Sequence, residues 1–189
     1  MKKKSTIVTI LFLVVVVGIV GCYAYFSGKA REGADPAATA VSKALGRDLL
    51  NDYPPTVKEV VKYYTELQKC LYNEEYSEEE FEQLGKKSRL LFDQELLDAN
   101  DETFHLVELR QEIEAFHTQK CTIASISVAS STNVFFFEED GYEFARILCK
   151  YTIRENGSPQ LSETMYLLRR DEDRRWKIYG WEQLKKEEG

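Results

Sequence analysis

Two periodicities divide the chain. Before about residue 118 the apolar positions recur every three or four residues, and from Cys121 onward they alternate. Thr56-Val-Lys-Glu59 has the form of a capping box, in which the threonine hydroxyl meets an orphan N–H and the glutamate reaches back. Behind it Val57, Val60, Val61, Tyr64, Leu67 and Leu71 share one helical face. Ser77-Glu-Glu-Glu80 repeats the signal ahead of Phe81, Leu84, Leu91 and Phe92, and a third start near Asn100 and Asp101 precedes Leu106, Leu109, Ile113 and Phe116. The spacing predicts three helices, over residues 56–74, 77–97 and 102–117.

The alternating half predicts strands over residues 122–128, 134–137, 142–154, 161–170 and 176–181. In the longest, Ala145, Ile147, Cys149, Tyr151 and Ile153 share a face. Asn156 and Gly157 form the preferred two-residue hairpin turn, because both tolerate a positive φ. Helices followed by an antiparallel meander define an α+β fold with the helices on one face of the sheet.

Ahead of this domain, residues 53–189, lies a different composition. Thr6 to Phe26 is a run of twenty-one uncharged residues after Lys2, Lys3 and Lys4. As a helix it reaches about 30 Å, the thickness of a hydrocarbon core. The leading lysines put residues 1–5 in the cytoplasm, residues 6–26 across a bacterial cell membrane and the domain on the extracytoplasmic side. Tyr23 and Tyr25 fall at headgroup level. Two other readings remain open: a lipid anchor on Cys22 within Ile19-Val-Gly-Cys22, and a cleaved signal peptide. Residues 27–52 are expected to be a mobile linker, with Val41, Leu45 and Leu49 at helical spacing as the hint of a short helix. Pro54 and Pro55 close it.

A net charge of -7 and the acidic runs Glu74–Glu75, Glu78–Glu80 and Glu138–Asp140 argue against nucleic acid as a partner. The nearest basic cluster, Arg169, Arg170, Arg174 and Arg175, brackets Asp171, Glu172 and Asp173, which cancel its field.

Three helices followed by Leu167-Leu-Arg-Arg170 and Arg175-Trp-Lys-Ile178 resemble the nuclear-transport-factor-2-like (cystatin-like) superfamily. Tyr53-Pro-Pro-Thr-Val-Lys-Glu-Val-Val-Lys-Tyr-Tyr64 and Lys69-Cys-Leu-Tyr-Asn-Glu-Glu-Tyr76 are similar to an uncharacterised family of small membrane-anchored proteins of anaerobic Firmicutes. The resemblance implies a cone, with helices leaning over a curved sheet and a pocket between them. It implies no chemistry, because such cones serve enzymes, binders and interaction modules alike.

The residues assign no catalytic, cofactor or metal site. His105 and His117, twelve positions apart on one helix, stand about 18 Å apart along its axis and cannot share a metal. An isomerase- or cyclase-like reaction in the cone needs an inward carboxylate. Glu80, Asp140 and Asp171 fall in caps and turns, whereas Glu143 and Glu163 lie on strands, where cross-strand ion pairs are the expected use. Cys121 and Cys149 are on strands where a disulfide is conceivable, and Cys70 adds a third thiol; all three read as small core residues. Phe135, Phe136 and Phe137 are different. Three consecutive aromatics on a strand cannot face one way, so at least one looks outward and offers a surface for a protein partner or a homodimer. The expectation is a membrane-tethered interaction or ligand-binding module of unknown ligand, in the layout of the single-span scaffold subunits of envelope secretion machines. The cone enzyme is the alternative.

Overall fold

The computed structural model describes residues 39–184. Five helices precede the sheet: α1 Ala40–Gly46, α2 Val57–Asn73, α3 Glu78–Arg89, α4 Gln94–Asp98 and α5 Glu102–Thr118. Five strands follow: β1 Cys121–Val128, β2 Phe135–Glu139, β3 Tyr142–Glu155, β4 Ser158–Arg170 and β5 Trp176–Leu184. All strand pairs are antiparallel. β3, β4 and β5 lie side by side, while β1 and β2 both pair with β3, β1 along its second half and β2 along its first.

This corrects the expected fold, a membrane-spanning helix followed by three helices in a nuclear-transport-factor-2-like cone. The described residues carry five helices, none of them long and apolar enough to cross a membrane. The expected span, residues 6–26, and Cys22 within it lie outside the described residues.

The two additional helices have identifiable causes. The expected helix over residues 77–97 breaks at Leu90–Asp93, because that segment runs as a single parallel bridge beside β5. Ile178 N–H donates to the Leu91 carbonyl at 2.8 Å, and Asp93 N–H donates to the Ile178 carbonyl at 2.9 Å. Asp93 then caps a new helix by accepting from Glu95 N–H at 3.0 Å. The other is α1, which falls in the expected linker. Val41, Ala44 and Leu49 are buried in the core, and the Tyr63 hydroxyl donates to the Ala44 carbonyl at 2.6 Å. Residues 40–52 therefore belong to the domain, whose core takes up the apolar side chains at helical spacing.

Local signals account for the other helix starts. At Ser77 both halves of the capping box form, with Glu80 N–H reaching the serine oxygen at 3.2 Å and Ser77 N–H reaching the Glu80 carboxylate at 2.8 Å. Thr56 keeps half of it: its oxygen accepts from Glu59 N–H at 3.2 Å, while its hydroxyl bonds the Glu59 carboxylate. Asp101 caps α5 through Thr103 and Phe104 N–H. Asn156 and Gly157 take the positive φ values of the β3–β4 turn, 48° and 86°, and Asp140 and Gly141 do the same between β2 and β3.

The core lies between α2 and one face of the sheet. Val60, Val61, Leu67 and Leu71 of α2 meet Ala145, Ile147 and Cys149 of β3, Leu168 of β4 and Ile178 of β5, all buried. Leu84 of α3 and Leu91 close one side. At Gly85 an added Cβ would come within 2.4 Å of the Leu106 side chain, so α3 and α5 approach closely there. Otherwise α5 is lightly held, with Ile113 its one buried residue.

The bridge to β5 is reinforced by charge. The Arg169 guanidinium makes a two-pronged contact with Asp93, at 2.6 and 3.0 Å, and a third bond to Glu95 at 2.6 Å. It lies between the rings of Tyr142 and Tyr179, at 4.7 and 4.9 Å. Asp93 is 3 % exposed, so removing its partner leaves a carboxylate out of water. Arg169→Ala is expected to lower stability by about 3 kcal/mol, read as a shift in the urea midpoint with the slope unchanged.

Candidate functional site

Side chains alternate across a strand, so the register assigns each to a face. The face toward α2 carries Ala145, Ile147, Cys149 and Tyr151 of β3 with Tyr166 and Leu168 of β4. Among the described residues no helix lies over the centre of the other face. An antiparallel sheet with one open face normally turns polar side chains outward. Here the outward positions include Phe144 and Leu148 of β3, Met165 and Leu167 of β4, and Leu184 of β5.

The aromatic triplet resolves across the two faces. Phe135 pairs with Arg146 and Phe137 with Phe144, both outward, while Phe136 pairs with inward Ala145 and leans on Trp176 with ring centres 5.7 Å apart. Outward rings then run in a chain: Phe135 to Phe137 at 5.8 Å, Phe137 to Phe144 at 5.4 Å, and Phe144 to Tyr179 at 5.5 Å. Arg146 lies over Phe137 at 5.0 Å. Tyr179 is the extra residue of a bulge, since Leu167 faces Gly180 and Leu168 faces Ile178. Beside it, Arg146, Met165, Leu167, Tyr179, Gly180 and Leu184 border a shallow groove of about 500 Å³. Nothing stands within 4 Å of where a Gly180 side chain would begin. Phe135 remains 62 % exposed and Phe136 58 %, which for rings of that size is a large cost left uncovered.

The inward face is filled rather than hollowed. Trp181, Tyr64, Phe92 and Tyr166 pack ring against ring at 5.7 to 6.3 Å. The Tyr151 and Tyr166 hydroxyls lie 2.6 Å apart, and both reach the Gln68 side-chain oxygen, at 3.0 and 3.5 Å. Burial raises the pKa of both phenols and of Tyr64, holding them neutral. Glu112, exposed on α5, adds to the upward shift of Tyr72, whose first cause is again burial. No sequence signal marked this tyrosine–Gln68 cluster. Its members come from α2, β3 and β4, and each reads separately as core.

The residues weighed for chemistry are dispersed. Glu163 pairs with Lys150 across the outward face at 2.6 Å, and Glu143 pairs with Arg170 at 2.7 Å at the end of the sheet. Neither enters the interior. Glu80 is spent on its cap, Asp140 lies in a hairpin turn, and Asp171 holds the β4–β5 turn by accepting from Arg175 N–H at 2.7 Å. His105 and His117 both lie on α5. His105 packs edge-on against Phe92, and burial, then Arg89, lowers its pKa. His117 Nε2 lies 2.8 Å from the Tyr72 carbonyl oxygen. Cys70, Cys121 and Cys149 are free and buried. Cys121 faces Glu155 in the ladder while Cys149, six positions earlier on β3, faces Val128, which places the two thiols out of disulfide reach. Burial pushes the Cys149 thiol up to about 11 and raises that of Cys70, the opposite of an activated nucleophile. No group of three or more His, Cys, Asp or Glu able to hold a metal occurs among the described residues.

Fold and surface together define a small α+β domain with one sheet face packed and the other bare and aromatic. The family model described as a domain of unknown function (DUF6715) matches residues 1–181, and the chain belongs to that family. No curated protein matches it.

The buried phenols generate a pH dependence. Burial raises the Tyr63 pKa to about 12, and those of Tyr53, Tyr72 and Tyr151 higher still. In the unfolded chain these phenols ionise near pH 10. The folded state therefore holds protons that the unfolded state releases. The stability they contribute is complete below pH 10 and is lost as pH rises through the folded values. Denaturant midpoints should fall steadily above about pH 10, with the tyrosinate absorbance of these residues emerging together with unfolding.

Proposed function

We propose that this chain is a membrane-tethered, extracytoplasmic protein-interaction module that works through the outward face of its sheet. The observation that carries the reading is the aromatic chain from Phe135 to Tyr179, laid on a face that none of the described helices covers. Its chemistry is that of a contact surface: apolar at the centre, with arginines stacked on rings, and bounded by ion pairs. Lys150 and Glu163 stand at one end, and Arg169 with Glu95 at the other. The uncharged run from Thr6 to Phe26 supplies the membrane attachment, and the lysines before it supply the orientation. A scaffold subunit of an envelope assembly is the role such a layout suits.

The test is capture of the tagged full-length chain after crosslinking in intact cells, with mass spectrometry of what accompanies it. A reproducible protein partner, this chain included, should be recovered with the wild type. It should be lost from a Phe135→Ser, Phe137→Ser variant whose circular dichroism is unchanged. Recovery that is indifferent to those two substitutions would overturn the reading. Attachment has its own measurement: the full-length chain should stay in the membrane fraction after a carbonate wash, and deletion of residues 6–26 should release it.

A further inference from the structure

The outward face is self-complementary, and we propose that its occupant is a second copy of this chain, packed sheet against sheet about a twofold axis running along β4. The proposal rests on the reading of this face as the interaction surface and names the partner.

Three observations carry it. The first is symmetry about β4. In the ladder, Arg146 of β3 and Gly180 of β5 flank Leu167, while Leu148 of β3 and Glu182 of β5 flank Met165. A twofold axis along β4 lays the β3 side of one copy over the β5 side of the other, so each contact occurs twice. Leu167 and Met165 then meet their own counterparts on the axis.

The second is charge. Arg146 and Glu182 are both exposed, on opposite sides of β4. Among the described residues the outward ion pairs are made by others, Lys150 with Glu163 and Arg169 with Glu95. The same axis brings Arg146 of each copy over the β5 strand that carries Glu182 of the other, offset by two residues. That is about 7 Å along the strand, within an arginine's reach. Arg146 and Glu182 are thus complementary under the rotation, while Glu163 and Arg169, on the axis itself, are neutralised within each copy by Lys150 and Glu95.

The third is size. About this axis the overlapping strands are β3, β4 and β5, and three columns at about 4.8 Å over the length of β4 at about 3.3 Å per residue give roughly 600 Å² on each copy. Doubled, that meets the lower end of a stable interface, about 1,200 Å² in total. The missing side chain at Gly180 leaves a groove opposite Arg146 of the other copy, whose aliphatic stem would enter it as the sheets close to about 10 Å. The charges nearest the axis, Arg146 and Glu182, meet as opposite signs, which offsets the desolvation that opposes association.

The arrangement predicts which positions meet. In membranes carrying the full-length chain, Leu167→Cys should be linked to itself by a short bifunctional maleimide and give a dimer band absent from the wild type. Ser127→Cys, outward on β1 and far from the axis, should give none. A Met165→Glu, Leu167→Glu variant with unchanged circular dichroism should be monomeric by light scattering in detergent, where the wild type is dimeric. If that variant fails to fold, Arg146→Glu and Glu182→Arg, both at exposed positions, take its place. Each alone should weaken self-association tenfold or more, and the double exchange should restore it. Absence of the Leu167→Cys dimer, or a wild type that is monomeric throughout, overturns the second copy as occupant. Capture of a different protein that depends on Phe135 and Phe137 would in that event leave the interaction reading standing. Loss of both results would remove both.

Discussion

Two backbone hydrogen bonds at Ile178 pin the junction of α3 and α4 to the edge of the sheet, beside the core that packs α2 on its face. They take the N–H and carbonyl of one β5 residue and exchange them with Leu91 and Asp93, in the short segment between α3 and α4. Because both groups lie at a sheet edge, they would otherwise need water or another chain. Everything on that side depends on the exchange. Phe92 is placed against Tyr64, Trp181 and His105, Asp93 is carried to Arg169, and α4 begins where it does. The Arg169 contact comes second: it neutralises a carboxylate that the backbone pairing has already drawn out of water.

The sequence revealed what was local and concealed what was remote. The caps at Ser77 and Asp101, the alternation through β3 and the Asn156–Gly157 turn are each set by residues within a few positions of one another, and such signals survive without a fold. Asp140–Gly141 was equally legible as a second hairpin turn, since it carries the same positive-φ pair. The helix break at Leu90–Asp93 was not, because its cause is Ile178, far away in the chain, and the apolar spacing of Leu84, Leu91 and Phe92 suits a continuous helix equally well. The same holds for α1 and the turn after it: Val41, Leu45 and Leu49 look like a sparse stripe until the core around α2 receives them.

The candidate surface was half legible. Steric logic at Phe135, Phe136 and Phe137 requires a split across the sheet, and the register delivers it. What the triplet could not disclose is the company it keeps. Phe144 and Tyr179 join the outward rings only because Tyr179 is bulged out of the β5 ladder and Phe144 sits one strand away. The tyrosines around Gln68 stayed hidden for a different reason. An aromatic on a core face is ordinarily packing, and only proximity of the hydroxyls distinguishes a polar cluster from two separate rings.

β1 and β2 share one border of β3 but meet it as two pieces, with Ala129 to Val134 stepping out between them. A sheet normally grows by adding a strand along a continuous border, and long flat borders seed fibrils. This border is cut into lengths of eight and five residues, and Ile178 on the opposite border is already occupied. Lateral extension is thereby discouraged on both sides. A domain built in this way can carry a sticky aromatic face without polymerising through its strands.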